Sequence, residues 1–173
     1  MLAREFSLST SIFVLLILIQ ESLINQLRLP GGGFSLPLLF AFTWAALSAP
    51  TAGALTGFIC GFLLDISQSS SVVLGHWTLL MILACYALAY LGFGNDNTRG
   101  IGITNILLIS ATSITILFAF IITNFVLGAS IGNFSRIILI ILSNGVWALL
   151  VTPFILPVAV RLHRVVFGNQ AQA

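Results

Sequence analysis

The stretch Gly53-Ala54-Leu55-Thr56-Gly57-Phe58-Ile59-Cys60-Gly61-Phe62-Leu63-Leu64-Asp65 governs how the chain folds. Three glycines fall four residues apart, and an aspartate follows four further on. At about 100° per residue, this spacing sets all four on one slowly drifting helical stripe. Such a stripe lets a neighbouring helix approach until backbones touch, and in lipid that close packing is a main source of helix association. Glycine costs about 1 kcal/mol in a helix interior, so three in register imply that packing offsets the loss. Ala49-Pro50-Thr51 precedes the stripe, and Pro50 suits a first helical turn, where its missing N–H costs nothing. The pattern predicts a helix from Pro50 to about Ile66, with Ser67 to Ser71 as a polar loop.

The rest of the chain is of the same kind. Its 173 residues are 59% hydrophobic and only 6% charged, where soluble domains carry roughly a quarter. The mean hydropathy is +1.16. A polar shell cannot be assembled from such a composition, and disorder would need far more charge. Outer-membrane barrel strands alternate apolar and polar residues, whereas runs such as Ile12 to Ile19 and Ile137 to Leu142 are continuous. The fold class expected is an all-α integral membrane protein forming a single domain over residues 1–173. Six arginines, no lysine and four acidic residues give a net charge of +2, too little for nucleic-acid binding. Cys60 and Cys85 lie inside apolar runs and read as small buried hydrophobes.

Each span needs about 20 residues, so the length allows about six. The first runs from about Phe6 to Leu27 and ends at Leu29-Pro30-Gly31-Gly32-Gly33. It is too long for a signal-peptide core and is expected to remain in the mature protein. The second, Phe34 to Ser48, is short and could be re-entrant. The fourth covers Val72 to Phe93, before the polar run Gly94 to Gly100. The fifth covers Ile101 to Leu127, and a loop from Gly128 to Asn133 follows. The sixth runs from Phe134 to Val160, with Pro153 and Pro157 expected to bend it, and Arg161, His163 and Arg164 open a tail. In this layout Arg4, Arg99, Arg161 and Arg164 share one side and Arg28 and Arg136 the other. The arginine bias therefore places both termini in the cytoplasm.

After the glycine stripe and its polar loop comes Leu74-Gly75-His76-Trp77-Thr78-Leu79. The ordered set Gly57…Gly61-Phe62-Leu63-Leu64-Asp65, polar loop, Leu74-Gly75-His76-x-x-Leu79 resembles the central signature of the rod shape-determining protein MreD family. The likeness extends over the whole chain in layout and over Thr51 to Tyr90 in motif. It departs at Gln68-Ser69-Ser70-Ser71, where the family often has Gly and Pro, and at Trp77, where a small residue is common. The resemblance implies a non-enzymatic membrane subunit of the rod-shape machinery, or elongasome. Such a subunit works beside MreC, MreB filaments, the polymerase RodA and its transpeptidase to direct lateral peptidoglycan synthesis and maintain cell shape. The MreD family is similar in architecture to the substrate-binding subunits of energy-coupling-factor vitamin transporters. A solute-binding transport subunit is accordingly the alternative.

The chemistry-bearing side chains are few. Asp65 reads as an interfacial cap for the following loop through Ser67 or Ser69, as a contact to a partner or neighbouring helix, or as a proton relay. With Gly75 and His76 it forms the expected partner-binding surface, while Gly53, Gly57 and Gly61 form the helix-packing one. Glu21, Gln20 and Asn25 make a polar patch in which Glu21 could pair with Arg28. Trp44, Trp77 and Trp147 suit interfacial anchoring or bulky packing. Asn105 and Asn124 are expected to bond across helices, and Asn144-Gly145 to lie at a helix contact or line a pocket. No nucleophile triad, P-loop or metal-ligand spacing occurs; neither catalysis nor a cofactor or metal site is expected.

Overall fold

A chain this apolar satisfies its backbone polar groups internally, and in lipid only helices or closed barrels do so. The computed structural model describes residues 2–24, 26, 34–67, 75–92, 102–127 and 134–167, and among them the regular structure is helical throughout. Helix α1 spans Leu2–Ile19 and continues as one π-helical turn, Gln20–Ile24. The others are α2 (Leu36–Leu47), α3 (Pro50–Ser67), α4 (His76–Gly92), α5 (Ile103–Val126) and α6 (Phe134–Phe167). Among the described residues, three helices are long and apolar enough to cross a membrane: Pro50–Ser67, Ile103–Val126 and Ile137–His163. The chain is an all-α protein of membrane-spanning character.

Helix α2 is the centre of the bundle. It is apolar on every face, which marks a helix with no side left for water, and Pro37 through Ala46 are all buried. Phe13 of α1 meets Phe40 edge-on, with ring centroids 5.8 Å apart, and Phe40 packs in turn on Trp44. Pro37 sits in the first turn, where its absent N–H is harmless. At 12 residues and about 1.5 Å per residue, α2 is shorter than the hydrocarbon layer of about 30 Å. Its ends are held by protein groups instead. Gln20 clamps its start, donating to the Phe34 carbonyl at 3.1 Å and accepting from the Leu36 N–H at 2.9 Å. Ser48 closes its end, its hydroxyl bonding the Trp44 carbonyl at 2.8 Å and lying 3.1 Å from Nε2 of His163.

These contacts set the relative direction of the helices. Ser48 and His163 place the α2–α3 junction beside the final turns of α6. At the opposite end, α3 finishes beside the start of α4, and His76 at that start meets Thr123 near the end of α5. Phe34, just before α2, lies 5.9 Å from Trp147 of α6. Successive helices from α2 onward therefore run up and down in alternation.

Two expectations are corrected. The sixth helix does not stop at Val160: it continues to Phe167 through residues 161–164. Proline is tolerated in an apolar helix braced by its neighbours, and Leu156 and Ala159 are fully buried beyond Pro153. Asn124 does not reach across helices, since its amide donates to the Phe120 carbonyl of its own helix at 2.8 Å. Trp44 and Trp77 are core residues, at 2% and 7% exposure. Cys60 and Cys85 are buried free thiols, as expected of small hydrophobes. The expected Glu21–Arg28 pair and the loop over residues 68–71 lie outside the described residues.

Candidate functional site

The glycine stripe faces α4 along its length. A Cβ at Gly53 would fall 2.6 Å from the Ala89 Cβ and 3.0 Å from the Cys85 carbonyl oxygen. At Gly57 it would strike the Met81 carbonyl, and at Gly61 it would lie 2.6 Å from the Thr78 Cα and 2.9 Å from the Trp77 carbonyl oxygen. The obstacles at Gly57 and Gly61 are backbone, so the two helices touch main chain to main chain. The opposite face of the pair carries the exposed side chains Leu55, Phe58, Phe62, Leu79 and Leu83.

Asp65 completes the stripe. It is 5% exposed, and its carboxylate lies over the first turn of α4. Oδ1 accepts from the Trp77 N–H at 3.1 Å, and Oδ2 accepts from the Thr78 N–H at 2.9 Å and the Thr78 hydroxyl at 2.5 Å. A helix begins with N–H groups that have no partner in their own helix and with partial positive charge. Asp65 answers both from the neighbouring helix, acting as an N-cap supplied across the hairpin. It does not use Ser67, whose hydroxyl donates to the Leu64 carbonyl at 3.1 Å. Only proximity in the fold could show this pairing, because the partners lie twelve and thirteen residues away.

Gly75 stands immediately before α4 with φ +91°, and a Cβ there would meet nothing within 4 Å. Its backbone, not its size, is what the turn requires. Gly75→Ala is therefore expected to cost about 1 kcal/mol of strain. Thermal unfolding in detergent would check it, and a midpoint shift as large as that of a stripe glycine would contradict it.

His76 opens α4 at 9% exposure. Its Nε2 meets the Thr123 hydroxyl oxygen, and that hydroxyl already donates to the Ala119 carbonyl at 2.8 Å. The imidazole stacks on Phe120 at 4.8 Å, and Trp77 stacks on the same ring at 4.3 Å. His76 ties α4 to α5 through these contacts.

The structure brings Gly53, Gly57, Gly61, Asp65, Gly75 and His76 together as one hairpin, with the last three at one end. A shallow apolar groove of about 610 Å³ follows the outer face of that hairpin, lined among others by Phe58, Phe62, Asp65, Gly75 and Leu83. Asn144 and Gly145 lie at the α5–α6 contact: the Ser113 hydroxyl donates to Asn144 Oδ1 at 3.1 Å, and a Cβ at Gly145 would fall 2.8 Å from Ile114 Cδ1. Sequence reasoning missed the Gln20 clamp and the His163–Ser48 contact, for which no local pattern exists. Among the described residues no three His, Cys, Asp or Glu side chains converge as metal ligands would. No family model, no curated protein and no solved structure matches this chain.

Proposed function

We propose that this chain is a non-enzymatic, multi-pass subunit of the bacterial cytoplasmic membrane, helping to maintain rod shape by scaffolding lateral peptidoglycan synthesis. The reading rests on the resemblance of Gly57 to Leu79 to the MreD family. One observation supports it: the residues carrying that resemblance form a single built unit. Gly57 and Gly61 admit the α4 backbone, Asp65 caps α4, and Gly75 makes the turn. That unit is held together by contacts between its own two helices. It presents a rigid hairpin with an aromatic outer face, where Phe58 and Phe62 stack 6.0 Å apart, and such a face suits a partner helix. MreC-type, MreB-type and RodA-type proteins are the partners the resemblance implies.

In this proposal the chain crosses the membrane six times, with both termini cytoplasmic. The alternation of helix directions and the protein-held ends of α2 support that layout. A reporter fused at Ala173 should give a cytoplasmic signal, and one inserted near Gly32 an external signal. An external signal from Ala173 would sink the layout.

Depletion in a rod-shaped host should round the cells. Because Asp65 is consumed within the fold, the partner face is better tested at Phe62, which is 49% exposed. Phe62→Ala should leave the amount of folded protein unchanged and reduce co-purification with an MreC-type protein several-fold. Normal cell shape on depletion, together with saturable uptake of a vitamin-like solute, would instead favour the transport-subunit alternative.

A further inference from the structure

One face of α4 packs on the glycine stripe, and the face turned away from the bundle carries Leu79, Leu83, Tyr86 and Tyr90, all exposed. Their spacing of four, three and four residues confines them to an arc of about 60°, the seam pattern by which two helices pack side by side. Two members of that seam are polar at the tip. Tyr86 and Tyr90 stack on each other, with ring centroids 6.4 Å apart and planes 20° apart, so both phenols are presented in one orientation. Neither hydroxyl has a hydrogen-bond partner among the described residues. Tyr90 lies within one turn of the helix end at Gly92, where a ring with a polar tip suits the membrane interface. Tyr86 does not fit that account. It stands six residues before Gly92, roughly 9 Å along the axis, and helical side chains slope back towards the N-terminus. In the six-span layout its hydroxyl therefore lies well inside a hydrocarbon layer about 30 Å thick, where lipid tails offer no acceptor.

What partner fits follows from the phenol itself. A hydroxyl both donates and accepts, so two identical phenols satisfy each other. Copies inserted into a membrane in the same direction form a two-fold pair only about an axis along the membrane normal. Such an axis sets each seam residue opposite its own counterpart at the same depth. Leucines then meet leucines at positions 79 and 83, and tyrosines meet tyrosines at 86 and 90. A different protein would have to bring a polar group to the depth of Tyr86, whereas a second copy already carries one. Ala87, exposed beside Tyr86, leaves room for the opposing ring. We propose that the chain pairs with a second copy of itself through this face of α4, with the two Tyr86 hydroxyls bonded to each other across the axis. The proposal rests on the six-span layout, which the reporter fusions test, and is independent of the rod-shape role, which depletion tests.

The full chain, fused to a fluorescent protein at Ala173, would be reconstituted in liposomes at increasing dilution and its copies counted by single-molecule photobleaching. A dimer that dissociates on dilution is expected. Tyr86→Phe keeps the ring and removes the hydroxyl, and should weaken dimerisation about three- to tenfold, the effect of one interhelical hydrogen bond in lipid. Oxidative cross-linking reads the geometry. Leu83→Cys and Tyr90→Cys should each give a disulfide-linked dimer. Phe118→Cys on α5, also exposed, should not, nor should the parent chain, whose Cys60 and Cys85 are buried. A monomer at every dilution, unchanged dimerisation in Tyr86→Phe, or equal cross-linking at Phe118→Cys would overturn the pairing. Loss of a different membrane protein from the Tyr86→Phe chain, with the chain itself monomeric, would also overturn it and give the face to that protein. With reporters in the six-span pattern, a monomer counts against the pairing alone.

Discussion

Gly57→Ala should remove most of the folded protein, although it adds one methyl group. That methyl would collide with the Met81 carbonyl, 2.8 Å from its carbon, and would lie 3.0 Å from the Cys85 Cβ. Overpacking a core typically costs about 1–3 kcal/mol, because side chains can swing away. Here the obstacle is the α4 main chain, which can yield only if the whole helix shifts. Such a shift would also pull Thr78 away from Asp65. We therefore expect a loss of about 3 kcal/mol or more, at or above the upper end of that range. Gly145→Ala provides the control, since its methyl would meet the flexible end of Ile114 and should cost about 1 kcal/mol. Leu55→Ile, on a side chain 46% exposed, should be nearly silent. Fluorescence-detected size exclusion after a heat ramp would rank the three. Equal midpoints for Gly57→Ala and Leu55→Ile would refute main-chain contact between α3 and α4.

Asp65→Leu should produce the second large effect. It deletes three hydrogen bonds to a charged acceptor and strands two backbone N–H groups at the start of α4. Bonds to charged groups contribute about 1.5–3 kcal/mol each, and an unmatched buried donor costs about 1–3 kcal/mol. The interaction with the helix dipole adds up to about 2 kcal/mol. Since water can reach part of a frayed first turn, a net loss of about 3–5 kcal/mol is expected. Asp65→Asn keeps the shape and one acceptor oxygen but turns an amide toward a donor, and should cost about 1–3 kcal/mol. Amide hydrogen exchange would read the site directly: Trp77 and Thr78 should lose protection in Asp65→Leu while amides in mid-α5 keep theirs. Unchanged protection at Thr78 would show that the carboxylate is not the cap.

Legibility in the sequence depends on how far apart the interacting residues lie. The glycine stripe is readable because its members share one helix, where a spacing of four fixes a common face. Pro50 marks the start of α3 for the same local reason. The end of α6 is not readable in this way, because prolines and arginines are strong local signals for a break, whereas Leu156 and Ala159 are buried among the prolines and His163, past Arg161, meets Ser48 at the end of α2. For Asn124, burial cost alone points to a bond across helices. Its own helix offers the Phe120 carbonyl one turn back, and the nearer acceptor wins.

The sequence by itself determined that this is a helical membrane-type chain, because its charge content cannot clothe a soluble fold and its apolar runs are continuous. It also determined that α3 carries a face of small residues, because helical periodicity is a property of one segment. Which helix that face meets was decided only in the tertiary structure, where α4 lies against Gly53, Gly57 and Gly61. The same holds for Asp65, whose carboxylate oxygens are matched by N–H groups beyond an intervening loop, and for Gln20, which holds the start of α2. The short α2 shows the difference most plainly. Its composition permitted either a marginal span or a re-entrant segment, and only packing placed it at the centre, where five neighbouring helices replace lipid and water. A pattern within one element follows from local geometry, whereas a pairing between elements needs the whole chain to bring its members together.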